Sequence, residues 1–462
     1  MGRPNIIFLF SDQQRWDTLG CYGQPLDITP HLDRLASDGV RFEYAFTPQP
    51  VCGPARAVLQ TGRYASQVGV FTNGIALPRN QKTLANWMTE AGYETAYIGK
   101  WHLASNSSEA RLRAWPGGEK FNNRTGPIPH ELRGGYKDFW LAADALEYTS
   151  HSYDGHMFDS EGRKREFPPG RFRADAQTDW VLEYLCDGRK GGPFFLFVSW
   201  LEPHHQNDHN CYEGPHGSKE KYKDFVVPGD LADTEGDWRQ NYPDYLGCVN
   251  SLDANVGRIR DELERLGLAD NTVIIYTSDH GSHFKTRNRE YKRSCHEGSI
   301  RIPLMISGPG FTGAKVVKEF ASLIDLPGTI VDIAGLRPLA CMEGGSLKEL
   351  VAGNTAGWPQ DVFIQISEDS CSRAIRTKKW KYSVRAPDER ANLGTADSDV
   401  YVEEYLYDLE NDYHERNNLV ADAGYEDVRR ELEKLLKKRM LAVGEPEPTI
   451  EPAGSDSEDR GF

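Results

Sequence analysis

The chain has 462 residues, and its 54 Lys+Arg against 69 Asp+Glu leave a formal net charge of −15, with 39% hydrophobic and 27% charged residues. That is enough chain for one large and one smaller folded domain at roughly 100–200 residues each, and it excludes a small disulfide-stapled scaffold. An acidic balance without any Lys/Arg-rich run excludes general binding to nucleic acid or anionic lipid, which the summed field would repel.

No apolar run approaches the ~18 residues of a membrane span. Met1-Gly2-Arg3-Pro4-Asn5 leads directly into a strand with no secretion signal, so the expected location is cytoplasmic, or periplasmic or secreted for a chain whose signal has been trimmed. The eight cysteines form no C-x-x-C pair and no zinc-type spacing; most are expected to be buried thiols, with one needing another explanation.

In chain order, residues 5–11 read as an apolar strand, and Thr29-Pro30 caps a helix that stops at Gly39. Residues 40–44 alternate like a half-buried strand, a helix runs from near Pro54 to Gly62, another spans 83–91, and 95–98 is a strand. Residues 105–170 are irregular and rich in Gly, Pro, Arg and His, and are expected to rim a pocket. The core pattern resumes with a helix over 175–185, a strand over 194–198, and a long helix carrying Leu246, Val249, Leu252, Val256, Ile259, Leu263 and Leu266 at helical spacing. Strands over 272–277 and 303–307 and a helix within 325–334 follow. Past residue 365 come short strands (374–377, 380–384, 405–409) and a helix over 425–441.

This order predicts an α/β fold: a large mixed, mostly parallel sheet sandwiched by helices, with a smaller C-terminal α+β subdomain built on an antiparallel sheet. The expected divisions are 1–365, 366–444, and an acidic Pro-containing tail over 445–462 that lies extended or mobile.

Ligands of open α/β sheets bind outside the carboxyl ends of the strands. Two strands run into acidic pairs there, Ser11-Asp12-Gln13 and Ser278-Asp279-His280. Side by side, Asp12, Gln13, Asp279 and His280 offer two carboxylates, an amide oxygen and an imidazole to one divalent cation, a set suited to Ca²⁺ or Mg²⁺ and open to Mn²⁺. In Pro50-Val51-Cys52-Gly53-Pro54-Ala55-Arg56, the cysteine stands just before a Pro-started helix, with Arg56 one turn on. The helix dipole and the guanidinium would stabilise an anionic group at Cys52.

The C-x-P-x-R motif followed by Thr61-Gly62 resembles the maturation signature of the formylglycine-dependent sulfatases, in the alkaline-phosphatase-like superfamily. The run from Gly92 to His102 is similar to that family's second signature. Glu202-Pro203-His204, the stretch from Lys292 to Pro303, and Leu406-Tyr407-Asp408-Leu409 with Glu415 and Asn418-Leu419 extend the resemblance over most of the chain. It implies that a formylglycine-generating or anaerobic sulfatase-maturating enzyme, acting on the unfolded chain, oxidises Cys52 to formylglycine. The hydrated aldehyde would then attack sulfur with one hydroxyl and expel sulfate with the other.

The same resemblance assigns Asp12, Gln13, Asp279 and His280 to one divalent cation, most simply Ca²⁺, with Mg²⁺ or Mn²⁺ as alternatives. It places Arg56 on the aldehyde hydrate and sets Lys100, His102, His204 and Lys292 around the sulfate. Lys292 and His204 would protonate the departing oxygen, and His102 would take a proton when sulfate leaves.

Gln13 and His280 stand where many relatives carry Asp and Asn, which leaves metal identity and the choice between sulfate and phosphorus esters open. The expected activity is release of inorganic sulfate from a sulfated carbohydrate, either a small molecule or an oligosaccharide. The alternatives are a phosphonate monoester or phosphodiester hydrolase, an aryl or steroid sulfatase, and a glycan-binding module whose Cys52 stays a thiol. The polar and aromatic rim (Trp115, Arg124, His130, Trp140, His151, His156, Arg171) favours a pyranose. Arg287, Arg289 and Arg373 are candidate readers of a carboxylate or second sulfate.

Overall fold

The computed structural model describes residues 2–107, 119–337, 339–388 and 395–453. Among these, twelve strands form one mixed sheet. Its centre is parallel, in the order Thr272–Ser278, Asn5–Ser11, Phe194–Ser199, Glu94–Lys100 and Phe139–Ala143. Antiparallel strands extend both sides: Leu304–Ser307 pairs with Thr272–Ser278, and Asp154–Asp159 pairs with Phe139–Ala143.

Asn5–Ser11 is buried along its whole length because helices cover both faces of the sheet. Ile6, Phe8 and Phe10 enter the core on one face, and Ile7 and Leu9 enter the core on the other. The second core is closed by the helix Trp238–Arg265, whose Leu246, Val249, Leu252, Val256, Ile259 and Leu263 all face inward. No helix among the described residues is long and apolar enough to cross a membrane.

Two parts of the sheet escape the sequence pattern. Phe139–Ala143, Ser150–His151, Asp154–Asp159 and Lys164–Glu166 lie inside the expected irregular rim, and Lys315–Ser322 runs parallel to Val40–Phe46 across an irregularity between Val317 and Phe320. Trp140 is therefore a core residue rather than a rim residue. Its ring stacks on Tyr97 at 5.3 Å within a cluster that includes Trp101, Tyr136 and Phe197. Arg171 pairs with Asp179 on the neighbouring helix, and Trp115 lies outside the described residues.

The C-terminal lobe is a five-stranded sheet, in the order Asp361–Ile366, Ser372–Thr377, Trp380–Arg385, Val400–Asp408 and Thr449–Glu451. One face packs on the helix Glu426–Ala442 through Leu432, Leu436 and Met440. Val362, Ile364 and Ala374 meet Phe46, Ile300 and Phe320 of the large domain. The first strand of the lobe's sheet, Asp361–Ile366, precedes the expected division at 366, and within the stretch expected to lie extended or mobile Glu445 is buried against Arg373 and Thr449–Glu451 pairs parallel to Val400–Asp408. Four of the eight cysteines are buried, so the thiols divide evenly rather than lying mostly inside.

Candidate active site

Four neighbouring parallel strands deliver their carboxyl ends to one point, which is where such sheets place ligands. Ser11 pairs with Ser278 in register, so the next residues, Asp12 and Asp279, stand side by side, both fully buried. Lys100 ends the strand Glu94–Lys100, and Ser199 ends Phe194–Ser199. The helix Cys52–Thr61 brings its N-terminus to the same place.

Arg56 ties these parts together. Its Nη2 donates to Asp12 Oδ2 at 3.0 Å and Asp279 Oδ2 at 3.2 Å, while its Nη1 donates to Lys100 O at 2.9 Å and Ser199 Oγ at 2.7 Å. Lys100 Nζ lies 2.9 Å from Asp12 Oδ2 and 3.2 Å from Glu147 Oε2. Burial opposes ionisation of Asp12, but Lys100, together with Arg56 and Lys292, overcomes it and holds the carboxyl well below its usual range. Asp279 has the opposite balance. Burial and the neighbouring Asp12 charge push it up to about 6 against the pull of Arg56.

Cys52 Sγ is surrounded by Lys292 Nζ at 2.9 Å, His280 Nε2 at 3.2 Å and Asp12 Oδ1 at 3.5 Å. The thiol itself is not activated. Burial, joined by Asp12, pushes it up to about 12 despite Lys292 and Lys100, so the anion expected from the helix dipole and Arg56 does not form on sulfur. His204 Nδ1 donates to His205 O at 2.6 Å, which leaves Nε2 to accept from Lys292 Nζ at 3.2 Å. Burial and Lys292 keep His204 neutral, and burial with Lys100 does the same for His102, whose Nδ1 is buried without a hydrogen-bond partner.

Gln13 and His102 occupy the left-handed backbone region, at φ +69° and +59°. Such conformations cost on the order of 1–3 kcal/mol and persist where the surroundings fix them.

Asp12, Cys52, Asp279 and His280 bring one ligand atom each within 4.8 Å of one another. Gln13 Nε2 donates to Tyr212 Oη at 2.7 Å, so its amide oxygen is the group left for a cation. Two buried carboxylates with an imidazole and an amide oxygen fit an oxygen-preferring dication.

A cavity of about 300 Å³ is lined by Glu147, Tyr148, Ser150, His151, Asp154 and Asp208, among others, and its link to the nucleophile runs through Glu147, whose Oε2 lies 3.2 Å from the buried Lys100 Nζ. His151 and His156 of the expected rim do line it. Arg124 stacks over the Tyr148 ring at 5.5 Å, and His130 is exposed. The candidate anion readers are not there. Arg287 donates to Glu415 O and His414 O, Arg373 is buried on Glu445, and Arg289 is exposed outside the residues lining this cavity. The sequence had no means of setting Arg287 and Arg373 apart, because their partners lie 128 and 72 residues away.

Sequence reasoning missed Glu147, Ser199, Tyr212 and Asn288. Glu147 had one usable signal, a carboxylate shortly after the end of a parallel strand. Asn288 Nδ2 donates to Lys292 O at 3.1 Å and so fixes the lysine's backbone.

A comparison with protein-family models matches residues 4–336 to Sulfatase and residues 289–441 to N-sulphoglucosamine sulphohydrolase, C-terminal. The chain belongs to the sulfatase family. An ulvan-active sulfatase of Formosa agariphila is 29% identical to this sulfatase over 464 residues, covering 96% of this chain and 82% of that one. An N-acetylglucosamine-6-O-sulfatase of Bacteroides thetaiotaomicron is 26% identical over 527 residues, covering 96% and 88%. The crystal structure of the putative sulfatase yidJ from Bacteroides fragilis superposes with a TM-score of 0.79 at 28% identity, covering 96% of this chain and 97% of that one. The mixed sheet and smaller lobe are thus the fold that this family uses, and the chain is a sulfatase-family enzyme.

Proposed function

We propose that this sulfatase hydrolyses the sulfate ester of a sulfated carbohydrate, with Cys52 converted to formylglycine as nucleophile. The observation that carries the reading is the position of Lys292 Nζ, 2.9 Å from Cys52 Sγ and 3.2 Å from His204 Nε2, which sets a cation and an imidazole beside the nucleophilic position. Cys52 Sγ stands here for the oxygens of the aldehyde hydrate. A thiol held near 12 is a poor nucleophile, which supports conversion to another group. With Cys52 only 1% exposed, a maturating enzyme has to act before the chain folds.

A dication held by Asp12, Gln13, Asp279 and His280 supplies Lewis-acid stabilisation of charge on a sulfate oxygen. The remaining tasks fall to the chain's own residues. Arg56 fixes the two carboxylates and the end of the Lys100 strand, so the site is organised before substrate arrives. Lys292 donates a proton toward the departing alcohol oxygen, and His204, neutral at Nε2, holds the ammonium in place. His102, neutral with a free buried Nδ1, takes the proton released as sulfate leaves. The cavity that Glu147 joins to Lys100 has room for about one sugar ring, and Glu147, Ser150 and His156 on its wall suit hydroxyl groups rather than a steroid. Relatives that act on ulvan and on N-acetylglucosamine 6-sulfate support a sugar substrate.

The test is release of inorganic sulfate from a panel of sulfated mono- and disaccharides by protein whose Cys52 is shown by mass spectrometry to be formylglycine. Turnover of sugar sulfates is expected. Fully converted protein that is inactive on every sulfate, or that prefers phosphonate or phosphate diesters in kcat/KM, overturns the reading.

A further inference from the structure

Beyond the nucleophile, a second group of ligating side chains lies at the cavity wall. His151 ends the short strand Ser150–His151, and Asp208 and His209 lie on the loop that follows His204. The two imidazole rings stack with centroids 4.4 Å apart at 4°. His151 Nε2 is 2.8 Å from Asp208 Oδ2, and His209 Nε2 is 4.0 Å from the same oxygen.

The opposite ring nitrogens are each committed to a carboxylate. His151 Nδ1 lies 3.3 Å from Asp154 Oδ1, and His209 Nδ1 donates to Glu213 Oε1. The carboxylates are anchored in turn. Asp208 Oδ1 accepts from Gln206 Nε2 at 2.8 Å, and Glu213 Oε2 accepts from Ser152 Oγ at 2.7 Å. Gln206 is itself buried and also donates to Glu147 O at 3.1 Å, which fixes the loop to the cavity floor.

Both ring nitrogens of His151 face a carboxylate, whereas His209 bonds one through Nδ1 and keeps Nε2 toward Asp208. A neutral imidazole that donates through Nδ1 presents a lone pair at Nε2. His209 Nε2 presents such a lone pair beside Asp208 Oδ2, and His151 Nε2 presents one when its proton sits on Nδ1 toward Asp154 instead of in the 2.8 Å hydrogen bond to Asp208 Oδ2, so a cation bound here takes the place of that proton. Carboxylate partners on the far nitrogens are the usual support of metal-ligating histidines, because they fix the tautomer and raise ligand basicity. All three residues are partly exposed, so an ion has an entry path and an open position for water.

We propose that His151, His209 and Asp208 form a second metal site, specific for a zinc-like divalent ion and separate from the cation position at Asp12 and Asp279. The ligand set of two imidazole nitrogens and one carboxylate oxygen, with one open position, is the composition that tetrahedral Zn²⁺ accepts. Three surrounding carboxylates, Asp154, Asp208 and Glu213, supply the negative charge that draws a dication. The oxygen-rich first site selects a harder ion. His151 and Asp208 line the same cavity as Glu147, so the second ion would stand at the cavity wall. The inference does not depend on which ester the enzyme cleaves.

The test is calorimetric titration of the full chain with Zn²⁺ in excess Ca²⁺, with Co²⁺ absorption as an independent report of nitrogen ligation. One Zn²⁺ equivalent is expected in the unaltered protein. It should be lost, or bound at least tenfold more weakly, in each of His151→Ala, His209→Ala and Asp208→Asn, and retained in His130→Ala. Thermal melts confirm that each exposed-site variant is folded. Absence of saturable Zn²⁺ uptake, or uptake unchanged by the three substitutions, overturns the proposal, and the convergent atoms are then relieved by a proton on His151.

Discussion

Lys381 is the residue on which the union of the two lobes is most directly tested. It is fully buried on the strand Trp380–Arg385, and its Nζ lies 2.9 Å from Glu297 Oε1 of the large domain and also bonds Glu415 Oε1. The backbone N–H of Glu297 donates to Glu415 Oε2 at 2.7 Å, so the two carboxylates are neighbours held together by one ammonium. Lys381→Met keeps the volume and removes the charge. Breaking a buried pair costs about 3–5 kcal/mol because the surviving charge stays buried. Arg376 Nε remains 3.2 Å from Glu297 Oε1, which places the expected loss near the lower end, ~3 kcal/mol, or roughly a hundredfold in the unfolding equilibrium.

The assay is urea unfolding followed by tryptophan fluorescence, fitted to the first transition. The deficit should shrink as pH falls, because burial raises Glu415 above the ordinary glutamate range, and once protonated it ceases to need Lys381. Adding Glu415→Gln should restore more than half of the loss. A loss below ~1 kcal/mol, or no rescue, refutes the reasoning and leaves the apolar contacts of Val362, Ile364 and Ala374 as what joins the lobes.

Three further substitutions probe other links. Arg56→Lys cannot serve Asp12, Asp279, Lys100 O and Ser199 with one ammonium, so kcat/KM for a sulfate ester should fall by at least ~100-fold, as steady-state kinetics would show. Glu147→Gln frees Lys100 from one of its two carboxylates, so inorganic sulfate should inhibit several-fold more tightly; unchanged inhibition would show that Lys100 does not face the anion. Arg373→Met breaks the buried pair with Glu445 and should lower stability by ~3 kcal/mol in denaturant titration while leaving the ranking of sulfated substrates unchanged.

What the sequence made legible was the chemistry set by neighbours in the chain. Asp12 and Asp279 follow strands whose apolar runs are long and buried on both faces, so their place at the sheet's carboxyl edge could be read directly. Cys52 and Arg56 share one helix, and their spacing carries their relation. The C-terminal limits were less legible, because Thr449–Glu451 is a three-residue strand in an acidic stretch that only its pairing with Val400–Asp408 defines. Trp140 reads as a rim aromatic because Gly- and Pro-rich sequence surrounds it; contacts with Tyr97, on the neighbouring strand, and with Trp101 make it core. Glu147 and the His151–Asp208–His209 group come from segments about 60 residues apart, joined through Gln206, a relation without a local signature.

The charge count at the nucleophile makes the cation testable without any turnover. Arg56, Lys100 and Lys292 supply three positive charges, and Asp12, Asp279 and Glu147 supply three negative ones. His102, His204 and His280 add none, since burial holds all three neutral. The protein's own groups therefore sum to zero in a chain whose overall charge is −15, and that balance gives a sulfate anion little reason to enter. A dication on Asp12 and Asp279 turns the same site to a net +2, and a dianionic sulfate product then matches it. Inorganic sulfate should bind the Ca²⁺-loaded protein at least ~10-fold more tightly than chelated protein, a difference of ~1.4 kcal/mol that two unit charges in a buried site readily exceed. Equal sulfate affinity before and after chelation, measured calorimetrically on protein with unconverted Cys52, would mean that the fixed cations alone hold the anion and would refute the charge count.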